Sequence, residues 1–153
     1  MQTMNDLLEA MYAFGKMQAR ALRINAPNMS DTEVVDVEIF IPEWKPGVQI
    51  ANAPVRRPEI DQVFRVITGH DSTANPHWTP ETQPALFSPC HTKDPKKAKP
   101  WLSPNGTSGM YYKDECYKDA EGIVHQQTFD GANVYDAEAM PGRWRIVNVE
   151  GGE

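Results

Sequence analysis

The chain has 153 residues and a net charge of −6 at pH 7, with 13 prolines, 10 glycines and 2 cysteines. That length admits one ordinary domain or two small ones, and the acidic balance argues against a nucleic-acid partner, because phosphate contacts need a basic surface. No apolar run approaches a membrane span, so no membrane insertion is expected, and Met1-Gln2-Thr3-Met4 lacks the charged and apolar regions of a secretory signal peptide.

Residues 1–41 read as a helical head. Over Asn5–Leu22, the residues Leu7, Leu8, Met11, Phe14, Ala21 and Leu22 fall roughly on one helical face. Asn5 or Asp6 is placed to cap this helix, and Asn25-Ala26-Pro27 to end it. The apolar stripe packs either on the rest of the chain or on copies of itself and a larger assembly. Leu7, Leu8, Met11 and Phe14 are therefore the expected anchoring and oligomerisation residues. Ser30-Asp31-Thr32-Glu33 is a capping box. It predicts a short helix through about Phe40, although Val34, Val35, Val37 and Ile39 equally suit a strand. Pro42 ends this element.

Two later stretches match each other. Trp78-Thr-Pro-Glu81-Thr-Gln-Pro84-Ala-Leu-Phe87 and Tyr135-Asp-Ala-Glu138-Ala-Met-Pro141-Gly-Arg-Trp144 share an aromatic, a glutamate, a proline and an aromatic at one spacing. They stand 57 residues apart (135 − 78), and Trp44 and Trp101 keep that offset. Fixed self-similarity marks a repeated unit. It predicts two small β modules at 42–89 and 101–149, joined by a linker at 90–100. Dense prolines and glycines after residue 40 favour short strands and turns. In the first module, Ile50, Val55 and Val63-Phe64-Arg65-Val66 read as strands and His70 to His77 as a polar loop. Trp44, Phe64, Phe87, Trp101 and Trp144 are the expected structural core of the modules. The segment Cys90–Pro100, with the basic run Lys93 to Lys99, has no large apolar side chain and reads as a solvated tether.

The pattern Trp44-x-x-Gly47-Val48, Val63-Phe64-Arg65-Val66, His70 and Trp78-Thr-Pro80-x-x-x-Pro84-Ala85-Leu86-Phe87 resembles the chitinase-type carbohydrate-binding module found in virion proteins of tailed phages and prophages. There the module follows a short helical segment ending in a Pro-x-Trp turn, a layout that Met4 to Trp44 matches. The resemblance spans about residues 30–149. The second copy resembles it through Met110-Tyr111-Tyr112-Lys113-Asp114-Glu115-Cys116, Gly122-Ile123-Val124-His125 and the closing loop to Trp144. The first copy departs from the family: Ile50-Ala51-Asn52-Ala53-Pro54-Val55 stands where the family has a Tyr-x-x-Gly-Asp-x-Val hairpin. This hairpin is therefore expected to be altered, which leaves the second module as the better carrier of a binding surface.

No glycine-rich phosphate loop, nucleophile elbow or His-Glu-x-x-His motif is present. Glu81 and Glu138 are one position in two repeats and are expected to support a loop rather than to form a catalytic pair. Cys90 and His91, with Cys116 and His125 elsewhere, lack the spacing of a zinc site. No enzyme activity, metal or other cofactor is expected; Cys90 and Cys116 read by default as free thiols, with a disulfide between them as the alternative.

The positive signal is aromatic, because tryptophan and tyrosine offer an apolar face with a polar handle to a sugar ring. Tyr111, Tyr112, Trp78 and Tyr135 are the carbohydrate-binding candidates. Tyr111 and Tyr112 are adjacent, so on a strand one of them faces outward. The expected fold class is α+β: an N-terminal helical segment followed by two small, mainly antiparallel β modules. The resemblance implies a non-enzymatic structural protein of a phage virion, as head or tail decoration or fibre. Its implied partners are its own copies, major capsid or tail proteins, and host-surface polysaccharide. Phage fibres are often trimers, though no heptad here supports that count. The alternatives are a stand-alone polysaccharide-binding module and a tail-assembly adaptor without glycan binding.

Overall fold

The computed structural model describes residues 3–25 and 28–149. Thr3 and Asp6 open the first helix by a reciprocal exchange. The Asp6 N–H donates to Thr3 Oγ1 at 3.1 Å, and the Thr3 N–H donates to Asp6 Oδ2 at 3.0 Å. The cap is thus Thr3, with Asp6 its partner, rather than Asn5 or Asp6 as expected. Helix α1 runs Met4–Asn25. It touches the rest of the chain at the turn Glu38–Phe40, while Leu7, Leu8, Met11 and Phe14 stay exposed. The side chains of Ala21 and Leu22 lie outside the described residues, as do Ala26, Pro27 and the tail Glu150–Glu153.

Ser30 then caps α2, Asp31–Asp36, with both halves of the capping box formed. After Val37 a 3-10 turn continues it through Glu38–Phe40. The valines that suit a strand are drawn into a helix because the capping box satisfies its first amides, and Val34 and Val35 face inward. They bury with Ile41 against Val63 and Cys90.

The remaining chain forms a mixed, mostly β architecture. Strands β1 (Val48–Gln49) and β4 (His70–Asp71) pair antiparallel. Strands β2 (Pro54–Arg57), β3 (Gln62–Val66) and β5 (Phe87–Pro89) make an antiparallel sheet in that order. A second sheet runs β6 (Lys99–Pro100), β7 (Cys116–Lys118), β8 (Val124–Gln127) and β9 (Trp144–Val147). Its β6–β7 pair is parallel and the rest are antiparallel.

The two sheets repeat one set of backbone bonds. The Trp44 N–H donates to Arg56 O at 2.9 Å, and the Trp101 N–H to Lys118 O at 3.3 Å. The Asn52 N–H donates to Val66 O at 2.8 Å, and the Asp114 N–H to Gln127 O at 2.9 Å. Phe87 sits opposite Val66, and Trp144 opposite Gln127. The equivalences Trp44–Trp101, Arg56–Lys118, Val66–Gln127 and Phe87–Trp144 follow from these bonds.

The hairpin turns of the two copies are alike. Asn52 at φ +70° and Asp114 at φ +74° both supply the left-handed turn residue, a conformation that Asn and Asp tolerate better than other non-glycine residues. The copies differ in their closing segments. The closing 3-10 turn begins at Pro80 in the first and at Pro141 in the second.

The segment 90–100 is not a solvated tether. Cys90, His91, Thr92 and Lys99 are all buried. The Cys90 N–H donates to Val63 O in β3 at 2.8 Å, and Thr92 O accepts the Cys116 N–H from β7 at 2.9 Å. Gln62 Nε2 donates to Pro100 O at 2.7 Å. The segment lacks large apolar groups because it serves as a hydrogen-bonded seam between the sheets, where small and polar residues satisfy buried backbone groups.

Candidate functional site

In the first sheet Trp44, Phe64 and Phe87 pack with Val55 and Val66. In the second, Tyr111, Tyr117 and Trp144 form the cluster, and Trp101 packs against it only partly buried. Tyr111 is therefore not the outward aromatic of its pair: it is 1% exposed. It stacks on His91 at 3.7 Å and on Trp101 at 5.0 Å, with interplanar angles of 13° and 9°. A ring committed on both sides has no face left for a sugar. Tyr112 turns outward, as strand alternation requires, and is 49% exposed.

Tyr135 is equally exposed. Its N–H donates to Asn133 Oδ1 at 3.0 Å, and its carbonyl accepts Trp144 Nε1 at 3.0 Å. Asn133 bridges Tyr111 across the antiparallel pair, so Tyr112 and Tyr135 flank that bridge. Trp78 is half-buried in the first module, tilted against His70 at 6.5 Å. The structure thus leaves two of the four carbohydrate candidates open to solvent around one bridge, buries a third, and puts the fourth in a loop of the first module.

A cleft of about 500 Å³ opens beside this region. Its walls are Trp101, Tyr117 and His125, and its acidic groups are Asp119, Glu121, Asp136 and Glu138. The turn after β7 builds one side. Asp119 Oδ1 accepts the N–H groups of Glu121 at 2.9 Å and Ile123 at 3.0 Å, and Oδ2 meets His125 Nε2 at 2.8 Å. The hydrogen bond from His125, then those of the turn amides, holds the Asp119 carboxyl below the usual carboxylate range. His125 lies on Tyr117 at 4.9 Å, and Tyr117 Oη accepts the Ala137 N–H at 2.9 Å, which fixes the opposite wall.

The Asp119–His125 pair has the form of an oriented imidazole, but no serine, threonine or cysteine lines the cleft. What the arrangement offers is an aromatic wall with carboxylates around it. Sequence reasoning did not single out Tyr117, Asp119 or Glu121. The available signal was the 57-residue ruler, which sets Trp101 and Glu138 at the positions of Trp44 and Glu81.

Both cysteines are free and buried. Burial pushes the Cys90 thiol well up and that of Cys116 up to about 12, which makes both poor nucleophiles. Among the described residues no cluster of three or more His, Cys, Asp or Glu is placed to hold a metal ion, and no helix is long and apolar enough to cross a membrane. No known family model matches the chain, and no curated protein matches it.

Proposed function

We propose that this chain is a non-enzymatic structural protein of a phage virion, held in the particle by α1 and displaying two fused β modules outward. The observation that carries the reading is the apolar row Leu7, Leu8, Met11 and Phe14, which stays exposed on a helix whose main contact with the body of the chain is the turn Glu38–Phe40. Exposed apolar area on this scale is ordinarily covered by a partner. Among the described residues no α1 side chain joins the buried clusters of the body, which leaves the exposed row available for attachment. The layout of head followed by modules is also that of the virion proteins the sequence resembles. Mass-spectrometric inventory of purified virions tests the proposal. The protein should appear at stoichiometric, many-copy abundance, and its absence from intact particles would refute the assignment.

Glycan adhesion is a second role compatible with the first. It is favoured by Tyr112 and Tyr135, both half exposed on either side of the Tyr111–Asn133 bridge. Retention on an immobilised polysaccharide should fall by about tenfold or more in the Tyr112→Ala, Tyr135→Ala double variant, the scale expected for losing two stacked rings. Undiminished retention in that variant would remove these tyrosines from any sugar site.

A further inference from the structure

The first module shows what the cleft of the second is built to hold. There Arg57 follows the β2 residue that receives the Trp44 amide, and its guanidinium has three partners. Glu81 takes two hydrogen bonds, at 3.0 and 2.8 Å. Glu59 pairs with it at 3.0 Å. The Trp44 ring lies under it, 5.8 Å from Cζ to the centroid.

In the second module the residue after the one receiving the Trp101 amide is Asp119. The three partners recur around it: Trp101 for Trp44, Glu121 for Glu59 in the same turn, and Glu138 for Glu81 in the matching closing stretch. All three line the open cleft. The closing 3-10 turn, which contains Glu81 in the first copy, begins after Glu138 in this one, and the cation is missing. An acid stands in its place, and that acid is occupied by His125 and two turn amides. No lysine or arginine lines the cleft, and Glu121 and Glu138 form no ion pair among the described residues.

We propose that this cleft binds a guanidinium group from outside the chain, the arginine side chain of a partner protein. It would lie against Trp101 with Glu138 as its bidentate carboxylate and Glu121 as its second acid, reproducing in trans what Arg57 does in cis. A planar guanidinium fits an aromatic face and a carboxylate fork together, whereas a lysine ammonium offers neither the plane nor the fork. This inference does not rest on the virion reading: it needs only the repeat and the geometry of the two copies.

The experiment is an NMR titration of the full chain with N-acetyl-arginine amide, its neutral urea analogue N-acetyl-citrulline amide, and N-acetyl-lysine amide. The expected result is saturable shifts of the Trp101 indole and of the backbone amides of residues 119–121 and 136–138. Arginine amide should bind about tenfold or more tighter than the citrulline analogue, and tighter than the lysine amide. Glu138→Gln, a change at an exposed side chain, should weaken arginine binding by about tenfold, the scale of one charge-assisted interaction, without altering the spectrum of the first module. Absence of saturable shifts, equal binding of citrulline, preference for lysine, or indifference to Glu138→Gln would each overturn the proposal.

Discussion

Glu81 grips Arg57 through two parallel hydrogen bonds, Nε to Oε1 at 3.0 Å and Nη2 to Oε2 at 2.8 Å. Both side chains are largely shielded from water, at 15% and 23% exposure. Burial alone would raise the Glu81 carboxyl, yet the hydrogen bonds from Arg57 hold it below its ordinary range, and they raise the guanidinium in turn. A bidentate pair at this depth loses much when one member is removed, because the other is left shielded and unpaired. Arg57→Ala and Glu81→Ala should each cost about 1–3 kcal/mol in urea unfolding, and the double variant should cost less than their sum by about 1–2 kcal/mol. Glu138→Ala, at the matching position with no cationic partner among the described residues, should stay within about 0.5 kcal/mol. Equal costs at positions 81 and 138 would contradict the asymmetry between the modules.

Lys99 ties the helical head to both sheets. Its ammonium reaches Glu38 Oε2 at 2.7 Å and Asp61 Oδ1 at 2.8 Å, with its side chain 7% exposed. Glu38 belongs to the turn after α2, Asp61 to the turn before β3, and Lys99 to β6. Removing the acids strands a buried cation, whereas removing the cation leaves two acids that still reach water. The Glu38→Gln, Asp61→Asn double variant should therefore lose about 3 kcal/mol, and Lys99→Met, which keeps the stem packed, about 1 kcal/mol or less. Urea unfolding of the two variants decides it, and the reverse ranking would contradict the burial of this ion cluster.

His91 and Glu115 impose opposite pH dependences. Burial pushes the His91 imidazole down from 6.5 to about 4 while Nε2 donates to Gly109 O at 2.8 Å. Between those values the unfolded chain binds a proton that the folded one refuses. The His91 contribution is therefore complete above pH 6.5 and lost on acidification toward 4, on the order of 3 kcal/mol. Burial pushes Glu115 the other way, from 4.5 up to about 7, against the hydrogen bond from the Tyr112 N–H at 2.8 Å. The folded carboxyl keeps a proton that the unfolded one releases, so this contribution is present below pH 4.5 and lost as pH rises to 7. The slopes oppose each other between 4.5 and 6.5, and these two groups together should leave stability nearly flat there. Glu115→Gln removes one slope, so its unfolding midpoint in urea should climb with pH across that window more steeply than that of the unaltered chain. Identical pH profiles for the two proteins would rule out the Glu115 linkage.

The parts of the fold that follow from local rules were legible in the sequence. The Ser30–Glu33 capping box places α2, and the 57-residue ruler pairs Trp44 with Trp101 and Phe87 with Trp144 from the sequence alone. What escaped depends on contacts distant in sequence. Cys90–Thr92 looks like linker because its composition is polar, and only the carbonyl of Val63 and the amide of Cys116 make that polarity a reason for burial. Tyr111 and Tyr112 were distinguishable as one in and one out, but which was which depended on His91 and Trp101 arriving to stack on Tyr111. The cleft was hidden for a related reason. Its identity lies in a substitution between copies, Arg57 for Asp119, that becomes visible only when the backbone bonds align the two turns.

The exposed face of α1 gives the sharpest test of assembly. Leu8 and Met11 are 55% and 60% exposed, on a helix of 22 residues that is about 33 Å long. Covering this row by a second copy would bury apolar area that now faces solvent. Because no α1 side chain among the described residues joins the cores of the two sheets, acidic residues on this face should weaken association and leave the body intact. In sedimentation velocity the unaltered chain should run as an oligomer and the Leu8→Glu, Met11→Glu variant as a monomer. Their thermal midpoints at low protein concentration should agree within about 2 °C, as expected for substitutions outside the core. A drop in the midpoint would mean that α1 packs on the sheets. A monomeric unaltered chain would instead assign the row to a different protein of the assembly.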